Sequence, residues 1–317
     1  LSFMQDAWRR LKKNKLAVVS MWFLAILIVF SMISVVLVPR DDANAFNTKE
    51  VTTYRNLPPK ISDNLPFWNG TITYSGSREA TDVYADQGVP EGTKFILGTD
   101  NLGRSIAKRI IVGVRISLLI AIVATLIDLL IGVTYGLISG YVGGKVDMIM
   151  QRIIEVISSI PNLVIVTMLG LLLGNGVTSI IISIAIVGWT SMARQVRNLT
   201  LSYREQEFVL AARSLGESAQ KIAFKHILPN ISGIIIVQIM MTVPSAIMYE
   251  AVLSAINLGV KPPTASLGSL ITDAQEYLQY YPYQVILPAL ALVLISLAFI
   301  LLGDGLRDAF DPKSGDR

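Results

Sequence analysis

The chain has 317 residues, 52% of them hydrophobic and only 16% charged, with 27 Lys and Arg against 23 Asp and Glu for a net charge of +4. Soluble domains carry about 25% charged residues, so this composition excludes an ordinary water-soluble enzyme and requires a lipid solvent. With no Cys and one His, His226, it also excludes disulfides, thiolate chemistry and Cys- or His-rich metal sites, and the small positive charge needs no nucleic acid to explain it.

In chain order, Arg9, Arg10, Lys12, Lys13 and Lys15 precede a first apolar run at 16–38. That run is too long for a signal peptide and has no small-residue cleavage site, so it is expected to stay as an anchor. A polar segment follows from Pro39 to about Phe95, with turn signals at Pro58, Pro59, Asn69 and Gly70. It exceeds an ordinary connection, and two arrangements fit it: a small β-rich subdomain around Tyr54, Phe67, Trp68, Tyr74 and Tyr84, or an irregular lid. Five more apolar runs, at 111–139, 153–173, 178–195, 231–256 and 284–303, complete about six spans of an all-α polytopic membrane protein. Pro161 and Pro244 are expected to kink their helices, and Gly132, Gly136 and Gly140, at i+4 spacing, to admit a closely packed neighbour.

The basic residues orient this layout. Five precede the first span, two lie in 140–152, six in 194–230 and three beyond Asp304, all on one side. Long translocated loops escape the charge rule, so both termini are predicted cytoplasmic, with 40–95 external, 96–303 the main membrane domain and 304–317 a cytoplasmic tail. Two carboxylates, Asp128 and Glu250, fall inside spans, where burial is costly. They are candidates for the pathway or for polar contacts between helices, with a structural hydrogen bond at least as well suited to Glu250.

Loop 194–230 is too long and too patterned to be a simple connection. Phe208, Ala211, Ala212 and Leu215 fall at i, i+3, i+4 and i+7, predicting a short helix with one apolar stripe, and Gly216 stands where a left-handed helix end is expected. After Ser218 as N-cap, Ala219, Ile222, Ala223 and His226 predict a second stripe, which Leu228 and Pro229 should end. Such a pair could dock a partner or lie on lipid.

The sequence EFVLAARSLG from Glu207 to Gly216, nine further residues, and HILPN from His226 to Asn230 resemble the EAA loop of binding-protein-dependent ABC importer permeases. Ala211, Ala212, Gly216, Leu228 and Pro229 match its E-A-A-x3-G-x9-I-x-L-P pattern, whereas Leu210 replaces the Glu and His226 the Ile. A His there is usual in the peptide branch. Glu207 is close enough to supply the missing charge. Three further stretches resemble the C-type permease of dipeptide and oligopeptide importers: WRRLKKNKLA from Trp8, LGTDNLGR from Leu97 with GVRISL from Gly113, and EAVLS from Glu250 with LGVKPP from Leu258 and SLG from Ser266.

That resemblance implies a type I ABC importer permease in a bacterial cell membrane, itself non-catalytic and without cofactor or metal. The chain lacks G-x-x-x-x-G-K-[ST], and its nearest stretch, Gly143 to Val146, has neither the spaced glycine nor the magnesium-binding hydroxyl. ATP and Mg would therefore be bound by two cytoplasmic ATPase subunits. The resemblance further implies a second homologous permease, an external substrate-binding protein, and coupling through Glu207, Phe208, Leu210, Ala211, Ala212, Ser214, Leu215, Gly216, His226, Leu228 and Pro229. External docking could use 40–95 or 257–283, although Tyr277, Tyr280, Tyr281 and Tyr283 also suit an interfacial belt. The implied cargo is a dipeptide or oligopeptide. The alternatives are nickel or another small solute in the same family, or an ion-coupled secondary transporter using Asp128 and Glu250, which would call for inverted repeats that the sequence does not display.

Overall fold

The computed structural model describes residues 3–45, 48, 51–73, 79–174 and 176–310. Its principal helices are α1 (Phe3–Leu11), α2 (Lys15–Leu37), α3 (Ile106–Val142), α4 (Gly144–Ser159), α5 (Asn162–Leu173), α6 (Val177–Tyr203), α7 (Glu207–Ser214), α8 (Leu228–Ala255), α9 (Leu267–Ala274) and α10 (Tyr283–Phe310). Among the described residues five helical stretches are long and apolar enough to cross a membrane, or six if a bent pair counts as one. At 1.5 Å per residue the 37 residues of α3 exceed the roughly 30 Å of a hydrocarbon core, so α3 outruns the 111–139 read from its apolar run.

The bent pair corrects the expectation of one helix over 153–173. Helices α4 and α5 meet at 75°. Pro161 restricts the residue before it, and Ile160 takes ψ 124°, an extended value that ends α4, while Pro161 itself caps α5. Pro244, in contrast, lies within α8 without ending it.

The chain divides into two compact units. The first comprises Leu1–Ala25, Ile120–Ile247 and Ser296–Arg317. At its centre α3 lies against α6 along the three glycines. A Cβ at Gly132 would stand 2.6 Å from Met192 Cβ, one at Gly136 2.6 Å from the Ala193 carbonyl oxygen, and one at Gly140 2.7 Å from that of Arg197. Asp147 of α4 closes the seam, accepting from Arg197 Nε and Nη2 at 2.5 Å each and from Ser139 Oγ at 2.5 Å. Beside it, Tyr135 and Trp189 meet edge to face at 4.8 Å between ring centroids.

The second unit comprises Ile26–Leu119 and Met248–Ile295. Within it the polar segment is a small packed body with little β-structure: β1 (Thr71–Ile72) and β2 (Thr81–Asp82) pair antiparallel, with Thr71 opposite Asp82 and Ile72 opposite Thr81. Its core is Leu57, Val83 and Tyr84, flanked by Tyr54, Ile72, Val89 and Phe95. Of the aromatics expected there, Tyr54 and Tyr84 take part, Trp68 is half-buried, Phe67 is 87% exposed, and Tyr74 lies outside the described residues. Tyr84 donates to the Pro58 carbonyl at 2.9 Å and Tyr283 to that of Leu57 at 2.9 Å, while Gln284 donates to Asn56 at 2.9 Å.

Replacing Gly136 by Val should lower the stability of the purified protein by about 1–3 kcal/mol, because the new side chain meets backbone that cannot give way. Thermal unfolding in detergent measures it; an unchanged midpoint would mean that the seam is looser than described.

Candidate functional site

Helix α6 runs on through Arg194 to Tyr203, so loop 194–230 holds less separate structure than its length suggests. Only α7 stands alone. It ends in a Schellman arrangement: Gly216, at φ +78°, donates to the Arg213 carbonyl at 3.0 Å, and Glu217 donates to that of Ala212 at 3.2 Å. Ser218 caps the following turn, its Oγ accepting from the Lys221 backbone N–H at 3.4 Å.

The expected break at Leu228 and Pro229 does not occur. Residues Ala219–Lys221 lead into a π-helical stretch, Ile222–Ile227, that continues as α8. The widened turn carries the chain past a proline that cannot donate, and Asn230 Nδ2 donates to the His226 carbonyl at 2.7 Å. Leu228 is half-buried and Pro229 exposed at this junction.

The apolar residues of α7 divide between two faces. Val209, fully buried, and Ala212 point inward and join Leu137, Val196, Ile222, Ile227 and Ile231 in one core cluster. Phe208 at 39%, Leu210 at 42% and Leu215 at 84% are exposed, with Glu207, Ala211, Ser214 and Gly216 exposed beside them. In the second stripe Ile222 and Ala223 are buried, Ala219 is exposed and Ile227 occupies the inner position. Apolar spacing alone did not distinguish a face turned toward this chain's core from one left bare.

His226 joins the hairpin from within. Its Nε2 lies 2.5 Å from Glu217 Oε2, and Glu217 Oε1 lies 2.7 Å from Lys221 Nζ. The Lys221 ammonium first, and His226 second, hold the Glu217 carboxyl below its ordinary value of 4.5. Glu217 was not recognised in the sequence, because it falls among nine unspecified positions of the motif. Arg213 stacks over Tyr141, its Cζ 5.8 Å from the ring centroid.

The two carboxylates in spans belong to different units. Glu250 is fully buried and accepts from Ser266 at 2.6 Å, Ser254 at 2.8 Å and Ser117 at 3.3 Å. Ser117 Oγ in turn accepts from the Leu267 N–H at 3.1 Å, and Ser266 forms a capping box with Ser269 at the start of α9. Glu250 therefore ties α3, α8 and α9 of the second unit together. Asp128, 2% exposed, presses against Gly188 of α6, and its Oδ1 finds no hydrogen-bond partner among the described residues.

A second polar centre, in the stretch LGTDNLGR, has no signature in residue spacing. Asp100 of LGTDNLGR accepts from the Leu102 and Arg104 N–H groups at 2.9 Å each, from Arg104 Nε at 2.8 Å and from Arg109 Nη1 at 2.9 Å. Asp273 stands 3.8 Å from Arg109 Nη2, and burial raises its carboxyl despite that guanidinium. Gly98 and Gly103, at φ +79° and +75°, allow the turn that wraps Asp100. Tyr277 accepts from Asn101 at 3.1 Å, which leaves Tyr280, 63% exposed, as the free aromatic of that region. Among the described residues no group of three or more His, Asp or Glu gathers to hold a metal.

Spanning helices, polar contacts that lock each unit and an ordered hairpin between two spans define a multi-span helical membrane protein. The family model described as "Binding-protein-dependent transport system inner membrane component" matches residues 132–315, and "N-terminal TM domain of oligopeptide transport permease C" matches 2–59. The chain belongs to the dipeptide and oligopeptide permease family of binding-protein-dependent ABC transporters. It is 64% identical over 316 residues to the dipeptide transport system permease protein DppC of Lactococcus lactis subsp. cremoris, covering 100% of this chain and 92% of that protein. It is 38% identical over 313 residues to the oligopeptide transport system permease protein OppC of Bacillus subtilis, covering 99% and 90%. An inward-facing structure of the MetNI methionine ABC transporter has a chain that superimposes with a TM-score of 0.53 at 19% identity, covering 62% of this chain and 94% of that one, so the type I importer permease fold is shared.

Two predictions follow from these contacts. Glu250→Gln should fold and retain transport, because its amide still takes the serine hydroxyls, whereas Glu250→Ala should cost about 1–3 kcal/mol for each polar group left unpaired. Thermal unfolding together with an uptake assay separates the two, and loss of uptake in a well-folded Glu250→Gln would assign the carboxylate to proton chemistry. Because the Glu217 carboxyl is depressed, its pairing stabilises the hairpin above about pH 4.5 and is lost as pH falls through the lowered value. Glu217→Gln should therefore speed deuterium uptake across 210–227 at neutral pH, and its difference from the parent should close in acid.

Proposed function

We propose that this chain is one of two permease subunits in an ATP-driven peptide importer, forming half of the translocation pathway and receiving the power stroke through α7 and Gly216. The observation that carries the reading is the division of the hairpin into two faces. Val209 and Ala212 are built into the permease core, while Glu207, Phe208, Leu210, Ala211, Ser214 and Leu215 stand bare on a short rigid helix. A lever needs both: a face fixed to the part it moves and a face free for the part that pushes.

The pushing part is a pair of cytoplasmic ATPase subunits that hold ATP and Mg, each offering a groove to one such helix. Ala211 and Gly216 admit close approach, Phe208 and Leu215 supply apolar anchors, and Glu207 supplies a charge where Leu210 does not. The tight link through Gly216 to the π-helical stretch and α8 turns movement of α7 into movement of a span, biasing the pathway between its two openings. Both termini and the hairpin then face the cytoplasm, as the placement of basic residues favours. On the outer side a substrate-binding protein delivers cargo to the body built from 40–95 and to the region around Tyr280. The names of the similar permeases favour a dipeptide or short oligopeptide as that cargo.

The secondary-transporter alternative loses support because its two proposed proton sites are differently engaged. Glu250 accepts from three hydroxyls within the second unit, and Asp128 lies against Gly188 within the first.

Ala211→Asp and Gly216→Pro should abolish ATP-driven peptide uptake in proteoliposomes while leaving membrane insertion and ATP hydrolysis by the partner subunits in place. Normal uptake by either variant would remove the coupling role from α7.

A further inference from the structure

Helix α1 is amphipathic, and one of its faces packs into the protein. Ala7 at 5% and Leu11 at 3% exposure are buried with Ala17 and Ala309, and Leu306 and Phe310 of α10 pack against them. Gly305 of α10 makes this close approach possible, since a Cβ there would collide with Ala17 and stand 3.4 Å from Leu11 Cδ1. The helix is therefore fixed in place, immediately before the span α2 begins at Lys15.

The other face carries Trp8, 47% exposed, with Lys12 Nζ 5.3 Å from the centre of its ring, and the exposed Arg9, Lys13 and Lys15. The one acid of α1, Asp6, is paired with Arg10 at 2.9 Å, and among the described residues Arg9, Lys13 and Lys15 have no ion-pair partner. An indole beside four unneutralised cations, pinned at the start of a membrane span, has the chemistry of a headgroup-binding surface: the ring sits at the interfacial level and the cations meet anionic phosphates.

We infer that the outer face of α1 is a binding surface for anionic phospholipid headgroups, with Trp8 and Lys12 at its centre and Arg9, Lys13 and Lys15 around them. The partner is a lipid rather than a soluble phosphate, because an exposed Trp adds nothing to the recognition of a free anion. This inference is independent of ATP coupling. Through Leu306, Ala309 and Phe310 the surface is fastened to the end of α10, so lipid composition reaches a span directly.

The test uses the full chain in its native assembly, reconstituted into vesicles containing equal mole fractions of brominated phosphatidylglycerol or brominated phosphatidylcholine. The fluorescence lost in Trp8→Phe isolates the Trp8 signal from those of Trp22, Trp68 and Trp189. We expect brominated phosphatidylglycerol to quench that signal more strongly than brominated phosphatidylcholine, and added salt to weaken the preference. Arg9→Gln, Lys12→Gln and Lys13→Gln together should remove it, at up to about fivefold in local enrichment for each charge lost. All three are exposed, so folding should survive, and an unchanged thermal midpoint verifies that. Equal quenching by the two lipids in the parent protein, or an undiminished preference in the well-folded triple variant, would overturn the assignment. Neither result depends on ATP hydrolysis, so failure here is distinguishable from failure of the importer reading.

Discussion

Two helices immersed in hydrocarbon gain nothing by hiding apolar side chains from each other, so their association has to come from close packing and polar contacts. In the first unit that condition is met by α3 and α6. Gly132, Gly136 and Gly140 bring the backbone of one against the other, and Asp147 fastens the end of the seam by a two-pronged contact with Arg197. Everything below depends on it. Leu137 and Val196, which flank the seam, form the floor on which Val209, Ala212, Ile222 and Ile227 of the hairpin rest.

The second unit solves the same problem with buried polar centres. Glu250 gathers three hydroxyls from Ser117, Ser254 and Ser266, and Asp100 gathers two backbone N–H groups and two guanidinium groups. In both cases most of the carboxylate oxygens' capacity is taken up within the unit. Such a centre fixes helices with respect to one another, and it leaves little capacity for a transported solute. The polar segment is held to α10 by the same means, through the contacts of Tyr283 with Leu57 and of Gln284 with Asn56.

Much of this was legible in the sequence. Apolar run length marked the five unbroken spans, because hydrocarbon thickness sets a length that chance rarely supplies, and the i+4 glycines announced the seam. Gly216 and Ser218 announced the hairpin's turn through their own backbone chemistry. The differences have two physical origins: what a residue faces, and how strongly a proline bends the backbone in its tertiary setting. Spacing puts Phe208 and Leu215 on one apolar stripe without saying what it faces; both are exposed in this chain, and Val209 takes the inner position. Pro229 reads as a helix end, and only the preceding π-helical turn, which has no sequence signature of its own, lets the helix pass it. Pro161 reads as a kink and proves to be a 75° break. The partners of Glu217, Asp100 and Asp273 are set by tertiary placement and could not be deduced from spacing.

In the proposed importer, work enters this chain from outside it, at the bare face of α7. The most direct measurement is peptide uptake by the reconstituted assembly, comparing ATP supplied on the hairpin side with an imposed proton gradient and no ATP. Uptake that requires ATP and persists when the gradient is collapsed is the predicted result. Uptake by this chain alone, driven by the gradient without ATP, would contradict it.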